Sequence, residues 1–327
     1  MVRSARMDNF KCFLIICVVF GHLLEMQEGM ASECLYLAIY SFHMPLFVWV
    51  SGYFAKPADR KSLKTLLLPY LVFQILYSLC AVYLWQTEDE IKLLEPYWLM
   101  WFLMALFIWK LLLPLLDAKG LRAQALVLAA TLVLSLLTGW EKELRYVLSF
   151  QRMLALLPMF LLGYYSHGCR EQVLDWWNSR SRRDRWLIQV GLLALVLFGM
   201  ALLFLFRDNI SRKWLYWKYP YGERGGTLLS RAGFTVLSAV WLGLALLWMP
   251  DRRLPLLTRI GQNTLPVYLL HGFVIETLNM LGIYETLGEP WLLTLGLTAT
   301  MVLLFSCPAV GRLFQRCFGR ACAASTV

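Results

Sequence analysis

The chain has 327 residues, 59% of them hydrophobic and only 16% charged, which excludes an ordinary soluble domain and marks a polytopic membrane protein. The formal net charge of +10 would point to nucleic acid in a soluble protein. Here the basic residues cluster in short loops between apolar stretches, so the charge reports membrane topology and nucleic acid is not expected as a partner.

The N-terminus, with Arg3 and Arg6 ahead of an apolar run, superficially resembles a signal peptide. It lacks a small-x-small cleavage site, and the run itself holds Lys11 and His22, so it reads as a retained first span over approximately residues 8–25. On a helix, eleven steps of about 100° return to within about 20°, which puts Lys11 and His22 on one stripe roughly 16 Å apart, with Asp8 close to it. An ionisable residue at the bilayer centre costs about 2.5–3.5 kcal/mol, so such a stripe faces protein or water and is expected to do chemistry. The plainer reading is an interfacial Asp8–Lys11 pair with a snorkelling His22.

A second span, approximately 35–54, carries His43 near its outer start in Ser41-Phe42-His43-Met44-Pro45-Leu46-Phe47. Pro45 fits within the first helical turns, where a missing amide costs little. Taken alone His43 reads more readily as a packing residue, although this topology lets it meet His22. Further spans follow at approximately 65–85, 97–116, 121–138, 151–168, 186–206, 228–249, 262–281 and 291–313. Arg152 opens the sixth and Arg231 lies in the first turn of the eighth; each is either an anchor or a binder of an anion or polar substrate. Tyr268 and His271 share a face of the ninth at i, i+3, and a mid-membrane histidine there calls for a partner in the same cavity.

Helix is the economical choice because each backbone amide must be satisfied within lipid. The expected fold is an all-α transmembrane bundle of about ten helices, a single domain over residues 1–327, without internal repeats. Both termini are expected in the cytoplasm, with Lys56, Arg60, Lys61 and Lys64, then Arg170, Arg180, Arg182, Arg183 and Arg185, then Arg252, Arg253 and Arg259, and the tail residues Arg312, Arg316 and Arg320 all inside. The outer loop 207–227 disagrees in charge, and its Trp214, Tyr216, Trp217, Tyr219 and Tyr221 suit an interfacial belt or, less readily, a carbohydrate-stacking surface. The eight cysteines are scattered singly without metal-ligand spacing, so neither disulfides nor a metal is expected.

A cation near the cytoplasm and a histidine base about half a membrane away suit a long anionic donor whose phosphates bind at Lys11 and whose reactive end reaches His22. Coenzyme A has that shape, and histidine suits proton removal from a hydroxyl near neutral pH.

At these residues the sequence resembles the acyltransferase-3 family of integral membrane O-acyltransferases, especially its fucose 4-O-acetylase-like branch. The family's basic residue, ten residues, then His is matched by Lys11 and His22, preceded by Arg6-x-Asp8-x-x-Lys11. The segment after His43 continues into Ser51-Gly52-Tyr53-Phe54; Trp98 to Leu103, the Arg152 segment running to Gly163-Tyr164, and Tyr268-Leu-Leu-His271 resemble later landmarks. The resemblance implies transfer of an acetyl or other acyl group from cytoplasmic acetyl-CoA to a hydroxyl of a sugar or lipid-linked envelope glycan, in the bacterial plasma membrane among its lipids. It implies His22 as general base or transient acyl carrier, Lys11 at the donor, and Asp8 and Arg6 ordering the helix start. His43, Arg152, Tyr268 and His271 would shape the acceptor side. A transporter or flippase with proton-relaying or anion-binding Lys and His residues is the alternative, though no repeats or broken helices are evident in the sequence.

Overall fold

Peptide groups that enter a bilayer must find partners within the chain, and this chain does so by helix throughout. The computed structural model describes residues 4–143, 146–209 and 211–319, and contains no strand among them; Arg320 lies outside the described residues. The principal helices are α1 (Ala5–Leu24), α2 (Met30–Tyr40), α3 (His43–Tyr53), α4 (Leu68–Tyr83), α5 (Trp101–Leu116), α6 (Leu121–Leu137) and α7 (Phe150–Gly168). They continue with α8 (Arg170–Asn178), α9 (Arg182–Leu205), α10 (Leu228–Trp248), α11 (Pro255–Gln262), α12 (Thr264–Met280), α13 (Trp291–Phe305) and α14 (Pro308–Phe318).

Among the described residues eight stretches are long and apolar enough to cross a membrane, nine if α13 and α14 are taken as one broken span. The 17-residue α12, which packs beside α1, accounts for the remaining predicted span. Two predicted spans differ in detail. The tenth ends earlier, because Pro308 starts a separate helix bent by 53° from α13. The second begins at Met30 and is broken at Ser41–Phe42, so His43 lies in mid-span at the start of α3, not near an outer end. The break follows from Pro45: it has no N–H for the carbonyl four residues back, that of Ser41, and Ser238 Oγ donates to this carbonyl at 2.9 Å instead. Pro114 inside α5 repeats the device, since the Lys110 carbonyl it leaves open accepts from the Ala58 amide at 3.0 Å.

α1 sits at the centre of the bundle, touching α2, α3, α11, α12 and α13. Its N-terminal end is tied to the 250–258 segment: Asn9 Nδ2 donates to the Pro250 and Arg252 carbonyls at 3.0 Å each, and Thr258 donates to Asn9 Oδ1 at 2.7 Å. Three glycines allow backbone-to-backbone contact. A Cβ on Gly261 would stand 1.7 Å from the Asp8 carbonyl oxygen, one on Gly52 1.9 Å from that of Phe160, and one on Gly163 2.0 Å from that of Trp49. Small residues at helix crossings are how membrane helices gain contact when lipid removes the hydrophobic drive.

The aromatic residues of loop 207–227, read as an interfacial belt or a stacking surface, are in part turned inward. Trp214, Trp217 and Tyr219 are buried against the bundle, because Arg231 on α10 donates to the Tyr219 carbonyl at 2.8 Å while its guanidinium lies 5.1 Å from the Trp214 ring and 5.2 Å from the Tyr221 ring.

Gly163→Ala is expected to cost at least the 1–3 kcal/mol of ordinary overpacking, since backbone atoms cannot move aside as a side chain can. Gly191→Ala on α9, where an added methyl meets nothing within 4 Å, should be neutral or stabilising by up to about 1 kcal/mol. Thermal unfolding midpoints of the two variants in detergent check the contrast.

Candidate functional site

The last turn of α1 carries His22, and the chain just beyond carries Glu25. Three residues apart, the two side chains share a helix face, and His22 Nδ1 lies 3.0 Å from Glu25 Oε1. Gly21 lets α2 approach: its missing side chain leaves room for Tyr40 and Ile39, whose atoms would stand 3.1 and 3.2 Å from a Cβ. Tyr40 then brings its hydroxyl to 3.0 Å from His22 Nδ1 and donates to the Glu25 carboxylate. A carboxylate can only accept, so Nδ1 carries the imidazole proton and Nε2 holds the lone pair. His22 Nε2 makes no hydrogen bond among the described residues.

Burial acts to raise the Glu25 carboxyl, but the hydrogen bond and charge of His22, with help from Tyr40 and Tyr216, outweigh it and hold the group below the ordinary glutamate range. The Tyr216 hydroxyl is pushed the other way by burial and the Glu25 charge, so it stays a protonated phenol.

His22 and Glu25 line a cavity of about 650 Å³ together with Tyr40, His43, Trp98, Arg152 and Tyr268. One end is marked by Val18 and Met44, and the other by the 87–97 and 215–218 loops, both expected outside from the alternation of spans. The structure therefore brings together four of the residues singled out from sequence: His22, His43, Arg152 and Tyr268. His43 donates from Nδ1 to the Ile39 carbonyl at 2.8 Å, which again leaves Nε2 as the acceptor. Tyr268 donates to the Leu99 carbonyl. His271 lies just behind: it is fully buried, its ring stacks on that of His22 at 5.5 Å between centroids, Nδ1 donates to the Val267 carbonyl at 3.0 Å, and Nε2 has no partner.

The other sequence candidates sit elsewhere. Asp8 is buried in the inner half, 3.4 Å from Lys11 Nζ and accepting from Gln262 Nε2 at 3.1 Å. Fourteen residues of helix put it about 21 Å from His22, too far to act on that imidazole. Lys11 is also buried, about 10 Å along the helix below Val18, with Nζ 5.6 Å from the Phe54 ring. Arg6 pairs at the helix mouth with Asp251 at 3.6 Å. Arg231 is fully buried outside the cavity lining, and its donors go to Ser135, Thr138 and Tyr219.

Sequence reasoning missed Glu25, Tyr40, Trp98 and Glu276 as site residues. Glu25 was within reach of it, since i, i+3 spacing from His22 continues the stripe by one more carboxylate. Trp98 opened a segment matched as a landmark, but its contact with His22, 4.7 Å ring to ring, exists only because the loop before α5 folds over α1. Glu276 accepts from the Tyr97 hydroxyl at 3.2 Å and lines the same cavity. Among the described residues no three His, Cys, Asp or Glu side chains gather as a metal site.

A family model described as an acyltransferase domain matches residues 4–308. Among curated proteins, nodulation protein NolL of Mesorhizobium japonicum is 25% identical over 335 residues, covering 92% of this chain and 83% of its own. Nodulation protein NolL of Sinorhizobium fredii is 26% identical over 326 residues, covering 88% and 81%. No solved structure matches.

With four histidines in the chain, selective ¹⁵N-histidine labelling resolves each ring. His22, His43 and His271 should all appear protonated at Nδ1 in their neutral form, and Glu25→Gln should disturb the His22 signals alone. An Nε2-protonated His22 in the unaltered protein would contradict the assignment.

Proposed function

Since this chain belongs to the acyltransferase-3 family and is a multi-pass membrane acyltransferase, we propose that it moves an acetyl group from acetyl-CoA to a hydroxyl of a sugar or lipid-linked glycan at the outer face of the bacterial plasma membrane. The observation that carries the reading is the His22–Glu25 pair, which fixes the proton on Nδ1 and presents Nε2 as a base inside a cavity.

His22 Nε2 takes the proton of the acceptor hydroxyl as its oxygen attacks the thioester carbonyl carbon. The new C–O bond forms, the C–S bond breaks, and the departing CoA sulfur takes the proton back from Nε2. Glu25 holds the ring in place and steadies the imidazolium in between, a base contribution on the order of 10²–10⁴-fold. His271, stacked on His22, restricts the ring further, while His43 and Tyr268 shape the acceptor side. The donor comes from the inner face, where Lys11 and Arg6 meet it. Trp98 offers a ring face to a sugar beside His22.

The test is transfer of radiolabelled acetyl from acetyl-CoA to a panel of saccharides and lipid-linked glycans by the protein in lipid nanodiscs. His22→Ala should lose at least 10²-fold in kcat, Glu25→Gln about 10- to 100-fold, and Lys11→Ala should mainly raise KM for acetyl-CoA. Undiminished transfer by His22→Ala would sink the proposal. CoA-independent movement of saccharide across liposomes would favour a transporter.

A further inference from the structure

Two arginines of this bundle sit between aromatic rings, and they differ in what their donors do. Arg231 has both terminal nitrogens bonded, to Thr138 Oγ1 at 2.9 Å and to the Tyr219 carbonyl at 2.8 Å, outside the cavity, although its Nε, like that of Arg152, has no partner among the described residues. Arg152 lines the cavity, with its guanidinium 5.0 Å from the Trp101 ring and 5.9 Å from the Tyr216 ring. It makes no hydrogen bond or ion pair among the described residues, and its Nε is buried without a partner. A guanidinium beside aromatic rings is weakly hydrated and keeps its planar fork of donors for an oxyanion. The residue is half-buried and only its Nε is shut away without a partner, so the remaining donors face the cavity, where an anion can take them.

Three further features favour an anion at this place. Arg152 and Ser149 belong to the start of α7, the positive end of a 19-residue helix that no side chain caps. Lys218 lines the same cavity, with Nζ 5.9 Å from the Tyr216 ring that Arg152 also approaches. Among the described residues no carboxylate of the cavity bonds Arg152: Glu25 is engaged by His22 and Tyr40 and acts on the guanidinium only through space, Glu276 is engaged by Tyr97, and Glu88 by Lys92.

We infer that Arg152, the start of α7 and Lys218 form an oxyanion subsite, and that the acceptor is an acidic saccharide whose phosphoryl or carboxylate group docks there while its hydroxyl lies at His22. The inference rests on the acyl-transfer reading for the identity of the ligand as an acceptor. The anion fixes the acceptor's register in the cavity, so that one hydroxyl of several reaches Nε2. Arg152 is on this account a specificity-determining residue.

Calorimetric titration of the full-length protein in nanodiscs with glucose, glucose 1-phosphate, glucuronate and inorganic phosphate tests it. At least one of the two acidic sugars should bind 10-fold or more tighter than glucose, and the tighter one tells phosphoryl from carboxylate. Phosphate alone should bind, more weakly than glucose 1-phosphate. Arg152→Gln should abolish the preference, Lys218→Gln, a loop substitution, should reduce it several-fold, and His22→Ala should leave it intact. Equal binding of glucose and both acidic sugars, or a preference that survives both Arg152→Gln and Lys218→Gln in folded protein, would overturn the inference. The binding preference does not depend on turnover. Loss of acetyl transfer with the preference intact would therefore count against the acyl-transfer reading alone, and transfer to neutral saccharides without any preference would count against this subsite alone.

Discussion

The contact between α3 and α7 is made backbone to backbone, and the site depends on it. Gly52 faces the Phe160 carbonyl and Gly163 the Trp49 carbonyl, at distances no side chain could occupy. The ring of Tyr53 lies 5.1 Å from that of His167, so contacts advance together from Trp49–Gly163 to Tyr53–His167 and the two helices run parallel. With that register fixed, His43 at the head of α3 and Arg152 in the first turn of α7 both come to the wall of one cavity. α1 is held the same way from the other side, by Gly261 against the Asp8 carbonyl.

The polar groups of the cavity are kept in lipid by local bonds that also set their chemistry. His43 and His271 each give Nδ1–H to the carbonyl four residues back, and His22 gives its own to Glu25. All three rings therefore present Nε2, and only the His22 ring has a carboxylate behind it. That difference separates a base from two supporting histidines, because a carboxylate stabilises the imidazolium and a carbonyl does so less. The aromatic loop 207–219 completes the wall through Tyr216 and Trp217, and Arg231 fixes it from beneath.

Much of the site was readable along α1. The Lys11–His22 spacing, the expense of charge in a bilayer and the landmarks at His43, Arg152 and Tyr268 pointed to residues of which four now share a cavity. Asp8 and Lys11 were read on the same stripe and do lie on α1, but they pair with each other in the inner half. A stripe gives angle about the axis, whereas catalysis needs distance along it, and 1.5 Å per residue separates these groups from His22. Arg152 and Arg231 could not be told apart in sequence, since both open a span; their surroundings differ only once α6 and the 207–227 loop have packed.

The sequence by itself determined the membrane environment, the helical class and the approximate spans, because the cost of unpaired amides and of charge in lipid acts on each segment separately. It also determined that the Lys11–His22 stripe faces protein or water. Only the tertiary structure decided what that stripe meets: Glu25 fixed by Tyr40 from α2, Trp98 and His271 laid against the His22 ring, and Arg152 facing the cavity with its Nε unbonded. Those contacts join residues up to about 250 positions apart, such as His22 and His271. They are set by which helices can approach closely at Gly21, Gly52 and Gly163, a property of pairs of helices that no single segment carries.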